Sequence, residues 1–166
     1  MQLQAQPVNL PCRYDAKQQQ VRCFQNEASF HEVADETLET IQDAVEELFE
    51  EHFDAGDTDD SEMPEVNVAS GVLTLSMPPH GTWVLNKQTP NRQIWWSSPI
   101  SGPRRYEHDV DEEVWLYTRY VDAREVARDE GTDLNEDDEY GDSRTLGGAL
   151  AAEIKTLYGL DVDLDL

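Results

Sequence analysis

From Phe30 to Phe53 the chain runs without a glycine or a proline, and its apolar residues recur every three or four positions. Phe30, Ala34, Leu38, Ile41, Val45, Leu48 and Phe49 therefore share one stripe of a helix of roughly six turns. A helix of that length with a single apolar stripe needs a broad apolar surface beneath it, and this fixes one layer of the fold. Ser29 is read as the N-cap, with Glu32 completing a capping box, and Gly56 lies beyond the far end.

After Glu65 the period drops to two. Val66 to Ala69, Val72 to Met77 and Thr82 to Gln88 alternate as strands do, parted by Ser70-Gly71 and by Pro78-Pro79-His80-Gly81. Gln93 to Ser97, Arg104 to Glu107 and Val114 to Tyr117 follow with short turns between them, the pattern of an antiparallel meander. A last amphipathic helix is expected over 146–158, with Thr145 as N-cap and Gly159 as stop, although Gly147-Gly148 weakens its first turn. The fold class is then α+β: an α/β sandwich with N- and C-terminal helices packed on one face of a five- to six-stranded antiparallel sheet. The other sheet face is left to water or to a partner. Residues 1–25, rich in Gln, read as an extended arm. Residues 26–166 form one domain, with an acidic insertion at about 119–142 that holds one helical turn around Ala123 to Arg128.

Charge narrows the function. Thirty-six Asp and Glu stand against twelve Lys and Arg, a net charge of −24. Such a surface repels phosphate backbones and anionic lipid, and no apolar run approaches a membrane span, so neither nucleic acid nor membrane is an expected partner. Cations are attracted. Cys12 and Cys23 have no zinc or redox-motif spacing and read as free thiols. No transit or signal peptide is visible, which leaves the compartment open because a processed chain looks the same.

The acidic residues are not scattered. Sixteen lie between Glu27 and Glu65, and no Lys or Arg occurs from Cys23 through Asn86. On the first helix Asp35, Glu39, Asp43, Glu46 and Glu50 fall within about 80° of one another, nearly opposite the apolar stripe, with Glu32, Glu36 and Glu47 beside them. Like charges at this spacing destabilise a helix by a few tenths of a kcal/mol per pair. Hard cations favour such carboxylates, and a ridge offers them several weak surface sites without a cage. His31, one turn before Asp35, can add a nitrogen ligand or simply be an exposed polar residue. His52, nearer the stripe, is expected to pack. Spacings for EF-hand, HExxH or di-iron bundle sites are absent.

The segment from Gly81 to Tyr106 reads GTWVLNKQTPNRQIWWSSPISGPRRY. Gln93, Trp95 and Ser97 share one strand face while Ile94, Trp96 and Ser98 share the other, which turns Trp95 outward among Asn86, Gln88, Asn91 and Gln93. Four Trp in a chain this size are mostly core, but an outward Trp ringed by amides is what an interface anchor looks like. Arg92, Arg104 and Arg105 make a basic island beside it. The run of NKQTPN, QIW and SSPISGPRRY, in this order and spacing, resembles the frataxin family. The likeness extends to SFHEVADETLETIQDAVEEL, SGVLTL and TLGGALAAEI, about two-thirds of the chain.

The resemblance implies a protein of the mitochondrial matrix that binds iron (Fe2+/Fe3+) weakly on its surface, with Co2+ or other divalent ions able to substitute. It implies contacts with a cysteine desulfurase and an iron–sulfur scaffold protein, promoting cluster assembly. His31, Asp35, Glu36, Glu39, Asp43, Glu46 and Glu47 are then the candidate metal residues. Asn86, Gln88, Asn91, Gln93, Trp95 and Arg105 are the candidate partner-binding residues. A monomer is expected without metal and a metal-dependent oligomer with it. The family's alternative activity is that of a ferroxidase converting Fe(II) to Fe(III), for which Asp35, Glu39 and Asp43 are the candidates. No nucleophile–base pair is legible.

Overall fold

The computed structural model describes residues 24, 26–53, 63–132, 134, 140–164 and 166. The expected arm, with Cys12 and Cys23, lies outside the described residues apart from Phe24, and the acidic run at 135–139 lies outside them too.

Helix α1 spans Glu27–His52 and buries Phe30, Ala34, Leu38, Ile41, Val45, Leu48 and Phe49, the stripe set by its sequence period. Its N-cap is Asn26, not Ser29: the Asn26 side chain accepts the Ser29 backbone N–H at 2.8 Å. Both are good cap residues, but only Asn26 has the extended backbone a cap requires, and the helix gains a first turn from it.

Six strands follow: β1 Glu65–Ala69, β2 Val72–Met77, β3 Gly81–Gln88, β4 Gln93–Ser98, β5 Gly102–Asp109 and β6 Val114–Tyr117. They form one antiparallel sheet in chain order. Helix α2, Thr118–Glu130, and helix α3, Leu146–Tyr158, complete the described elements with short 3₁₀ turns at Thr89–Asn91 and Gly141–Arg144. Leu73, Leu75, Trp83, Leu85, Ile94, Trp96, Tyr106 and Trp115 point to the α1–α3 side and form the core with the two helix stripes. Thr145 caps α3 by accepting from the Gly148 N–H at 3.1 Å. Gly147, which costs the helix propensity, has a packing reason: the Leu164 backbone crosses where a Cβ would stand.

The SSPISGP segment is a turn tied to the core. Ser98 Oγ accepts from the backbone N–H of Ile100 (2.9 Å) and Ser101 (3.1 Å), and donates to buried Glu153 on α3 at 2.6 Å. Glu153 also accepts the indole N–H of Trp83. A carboxylate 8% exposed is tolerable there because two donors meet it.

Three expectations change. Instead of one turn near Ala123 to Arg128, α2 runs for 13 residues. It also lies on the sheet face opposite α1 and α3, so that face is not wholly open. Leu116, on the Trp95 side of the sheet by register, is 2% exposed beneath Tyr120 and Val121. Phe24, in the region read as an arm, is a core residue against Phe30 and Trp115.

Candidate functional site

The sheet register assembles the aromatic site from three strands. Asn86 on β3 faces Trp95 on β4, and Trp95 faces Arg105 on β5. Directly opposed side chains stand about 4.5–5.5 Å apart, so the three form one rung. The next rung is Gln88, Gln93, Glu107 and Leu116. Ile94, Trp96 and Ser98 are buried on the other side of β4, while Trp95 is half-buried and Ser97 exposed. Trp95 is therefore outside the core, though less open than its sequence setting suggested. Its indole N–H donates to Gln93 Oε1 at 3.1 Å, and the Arg105 guanidinium lies 4.6 Å from its ring centroid. A cation over an aromatic face is worth about 0.5–1 kcal/mol at such a site and holds the ring in one orientation. Asn91 is exposed in the turn between β3 and β4, and Asn86 and Gln88 are partly exposed beside it.

The basic island separates. Arg104 points to the helix side, over the Tyr117 ring at 5.5 Å, because its strand neighbour Arg105 takes the other face. Arg92 has a left-handed backbone, φ 52°, and its guanidinium donates to the Phe24 carbonyl at 2.6 Å. Only Arg105 belongs to the Trp95 rung.

On the far side of the sheet, α1 exposes Glu32, Asp35, Glu36, Glu39, Asp43, Glu46, Glu47 and Glu50. The ridge is thus in water as phased from the sequence, with one change. Lys87 reaches across from β3 to pair with Asp35, so that end carries a cation that no local pattern could reveal. His31 turns back toward Glu27, with Nε2 3.4 Å from its carboxylate, and does not reach toward Asp35. His52 is exposed and its Nδ1 lies 3.0 Å from the Leu48 carbonyl, so it is not the packing residue expected. Among the described residues no three His, Cys, Asp or Glu side chains converge as ligands of one ion. What the ridge offers is a line of separate carboxylates.

Comparison with known proteins matches residues 23–126 to the model of the frataxin-like domain. The chain belongs to the frataxin-like family. It is 39% identical over 110 residues to the mitochondrial frataxin homolog of Schizosaccharomyces pombe, covering 66% of this chain and 65% of that protein. It is 46% identical over 90 residues to the mitochondrial frataxin of Dictyostelium discoideum, covering 54% of this chain and 43% of that one. The match thus spans 43% to 65% of these curated relatives. A solved yeast frataxin superimposes with a TM-score of 0.50 at 30% identity, over 87% of this chain and 96% of the other. The frataxin-like fold is that of α1 and α3 on one face of the antiparallel sheet, and the relatives place the chain in the mitochondrion. The matched region ends at residue 126, inside α2.

Proposed function

We propose that this chain binds iron along α1 and docks on a cysteine desulfurase–scaffold complex through the Trp95 face, promoting iron–sulfur cluster assembly. The observation that carries this reading is the Asn86–Trp95–Arg105 rung: a large aromatic side chain outside the core, held in place by Gln93 and Arg105. A pre-oriented Trp beside an Arg is the composition of an interface hot spot, because little conformational entropy is lost when a partner covers it. Family membership supports the partner class. The exposed carboxylates of α1 support weak binding of Fe2+, Fe3+ or Co2+, since each ion that binds relieves like-charge repulsion on the ridge. The sheet lies between the two surfaces, so metal and partner can be held at once.

Trp95→Ala tests the docking half. Trp95 is only half-buried, so the urea midpoint should move far less than the roughly 3–5 kcal/mol expected of a core Trp. Affinity for the desulfurase–scaffold complex should fall by about 2 kcal/mol or more. Retained binding in a pull-down, or a core-sized loss of stability, would remove this reading.

A further inference from the structure

We propose that Lys87 is a tethered counter-ion that withholds Asp35 from metal, so that ions load on the α1 ridge from Glu39 onward. The inference rests on the metal-binding reading above. Alternation along β3 sends Asn86 and Gln88 to the Trp95 face and Lys87, opposite buried Ile94, to the helix side, where its ammonium pairs with Asp35. The fold holds this pairing in place. The Lys87 backbone N–H donates to the Gly71 carbonyl at 2.9 Å, and its side chain crosses Gly71 so closely that a Cβ there would stand 2.9 Å from Lys87 Cε. Gly71 has φ 75°, which favours glycine by itself, and its missing side chain is also what opens the path from β3 to α1. Packed in this way the Lys87 side chain is 13% exposed, while that of Asp35 is 50% exposed.

A divalent ion that approaches Asp35 meets a positive charge already seated on its carboxylate. Sharing the carboxylate would bring two cations within about 4–6 Å of each other, a separation at which like charges repel even near a surface. Displacing the ammonium is the other route, and a freely moving lysine would yield, because an exposed pair holds only weakly. Lys87 has little room to yield, since its stem lies against Gly71. One turn along the helix no such competitor stands. Glu39, Asp43, Glu46 and Glu47 are exposed, and no described Lys, Arg or His pairs with them. The Gln42 amide that donates to Glu46 Oε1 at 2.7 Å is neutral. His31, which could have added a nitrogen at the Asp35 end, faces Glu27. The ridge therefore divides into an end balanced from within and a stretch from Glu39 to Glu47 left to ions from solution. Lys87 sets the boundary.

The test is calorimetric titration of Co(II) into the intact chain, its Lys87→Met and Lys87→Arg variants, and Lys87→Met combined with Asp35→Asn. Lys155→Met, at a lysine of α3 that pairs with Asp161, controls for the loss of one positive charge. Met keeps most of the stem that lies on Gly71, and Lys87→Gln serves as a second neutral variant should Lys87→Met fail to fold in a urea melt. Lys87→Met should bind Co(II) roughly fivefold more tightly than the native chain, the upper end of what one partly exposed ion pair contributes. Lys87→Arg should bind as the native chain does, and adding Asp35→Asn to Lys87→Met should abolish the gain. No gain in Lys87→Met, an equal gain in Lys155→Met, or a gain that survives Asp35→Asn would overturn the counter-ion while leaving the ridge reading in place. A native titration left unchanged by Glu39→Gln, Asp43→Asn and Glu46→Gln together would overturn the ridge reading itself, and the counter-ion with it.

Discussion

His108 shows how one side chain can tie pH to stability. It is 7% exposed on the helix side of β5, stacked on Phe24 at 5.0 Å and set edge-on to Trp115 at 4.9 Å. Burial lowers its pKa below the ordinary 6.5, against the opposing pull of Asp109 and Glu113. The sign follows from the neutral form being the one the fold prefers. Below about pH 6.5 the unfolded chain takes up this proton while the folded chain resists it, so stability falls as pH drops from there through the lowered folded value. His108→Phe keeps a ring in the cage and removes the proton site. Urea melts of the two proteins between pH 5 and 8 should therefore show a shallower acid decline for the variant. Parallel declines would mean that the carboxylates alone set the slope. Ile41 makes the simpler residue-scale case. It is fully buried between α1 and the sheet, and Ile41→Ala should cost about 2–5 kcal/mol by urea denaturation; a surface-sized loss would contradict its placement.

At the scale of elements, what could be read in advance depended on how far each one is specified by its own sequence. Helix α1 was legible almost residue by residue because a strict apolar period meets an equally strict acidic one. The strands were legible from alternation and from Gly and Pro between them, and the GTW to RRY segment carried the Trp95 rung in readable form. Helix α2 was not. Its buried residues are only Tyr120 and Val121, too few for a period, and its hold on the sheet combines their packing on Leu116 with the meeting of Arg124 with Asp109 and Glu112. Arg124→Gln should accordingly loosen α2 without unfolding the sheet. Amide exchange should quicken over 118–130 while β3 and β4 keep native protection. Uniform acceleration would mean α2 is integral to the core. Lys87 was missed for a related reason, since its partner Asp35 is 52 residues away and only the packing of α1 on the sheet joins them.

The whole molecule joins an acidic helix layer to a polar sheet face that carries one outward Trp, and the cost of that division is self-repulsion on α1. A net charge of −24 destabilises a compact chain, most of all where carboxylates line one ridge at three- and four-residue spacing. Asp35 is already relieved by Lys87, and removing its charge would leave a largely covered ammonium without a partner. The residues to neutralise are therefore Glu39, Asp43 and Glu46, all exposed. Without metal, the combined variant Glu39→Gln, Asp43→Asn, Glu46→Gln should have a higher Tm than the native chain. Added salt should narrow the difference, because the Debye length shrinks to about 10 Å at 0.1 M. With Fe(II) or Co(II) the order should change. An ion that prefers the folded state adds RT ln(1 + [L]/Kd), about 2.7 kcal/mol at a hundredfold excess over Kd, and the variant should lose most of that gain. Binding to the desulfurase–scaffold complex should stay native, since these carboxylates and Trp95 lie on opposite sides of the sheet. An unchanged metal titration in the variant would place the ions somewhere other than the α1 ridge.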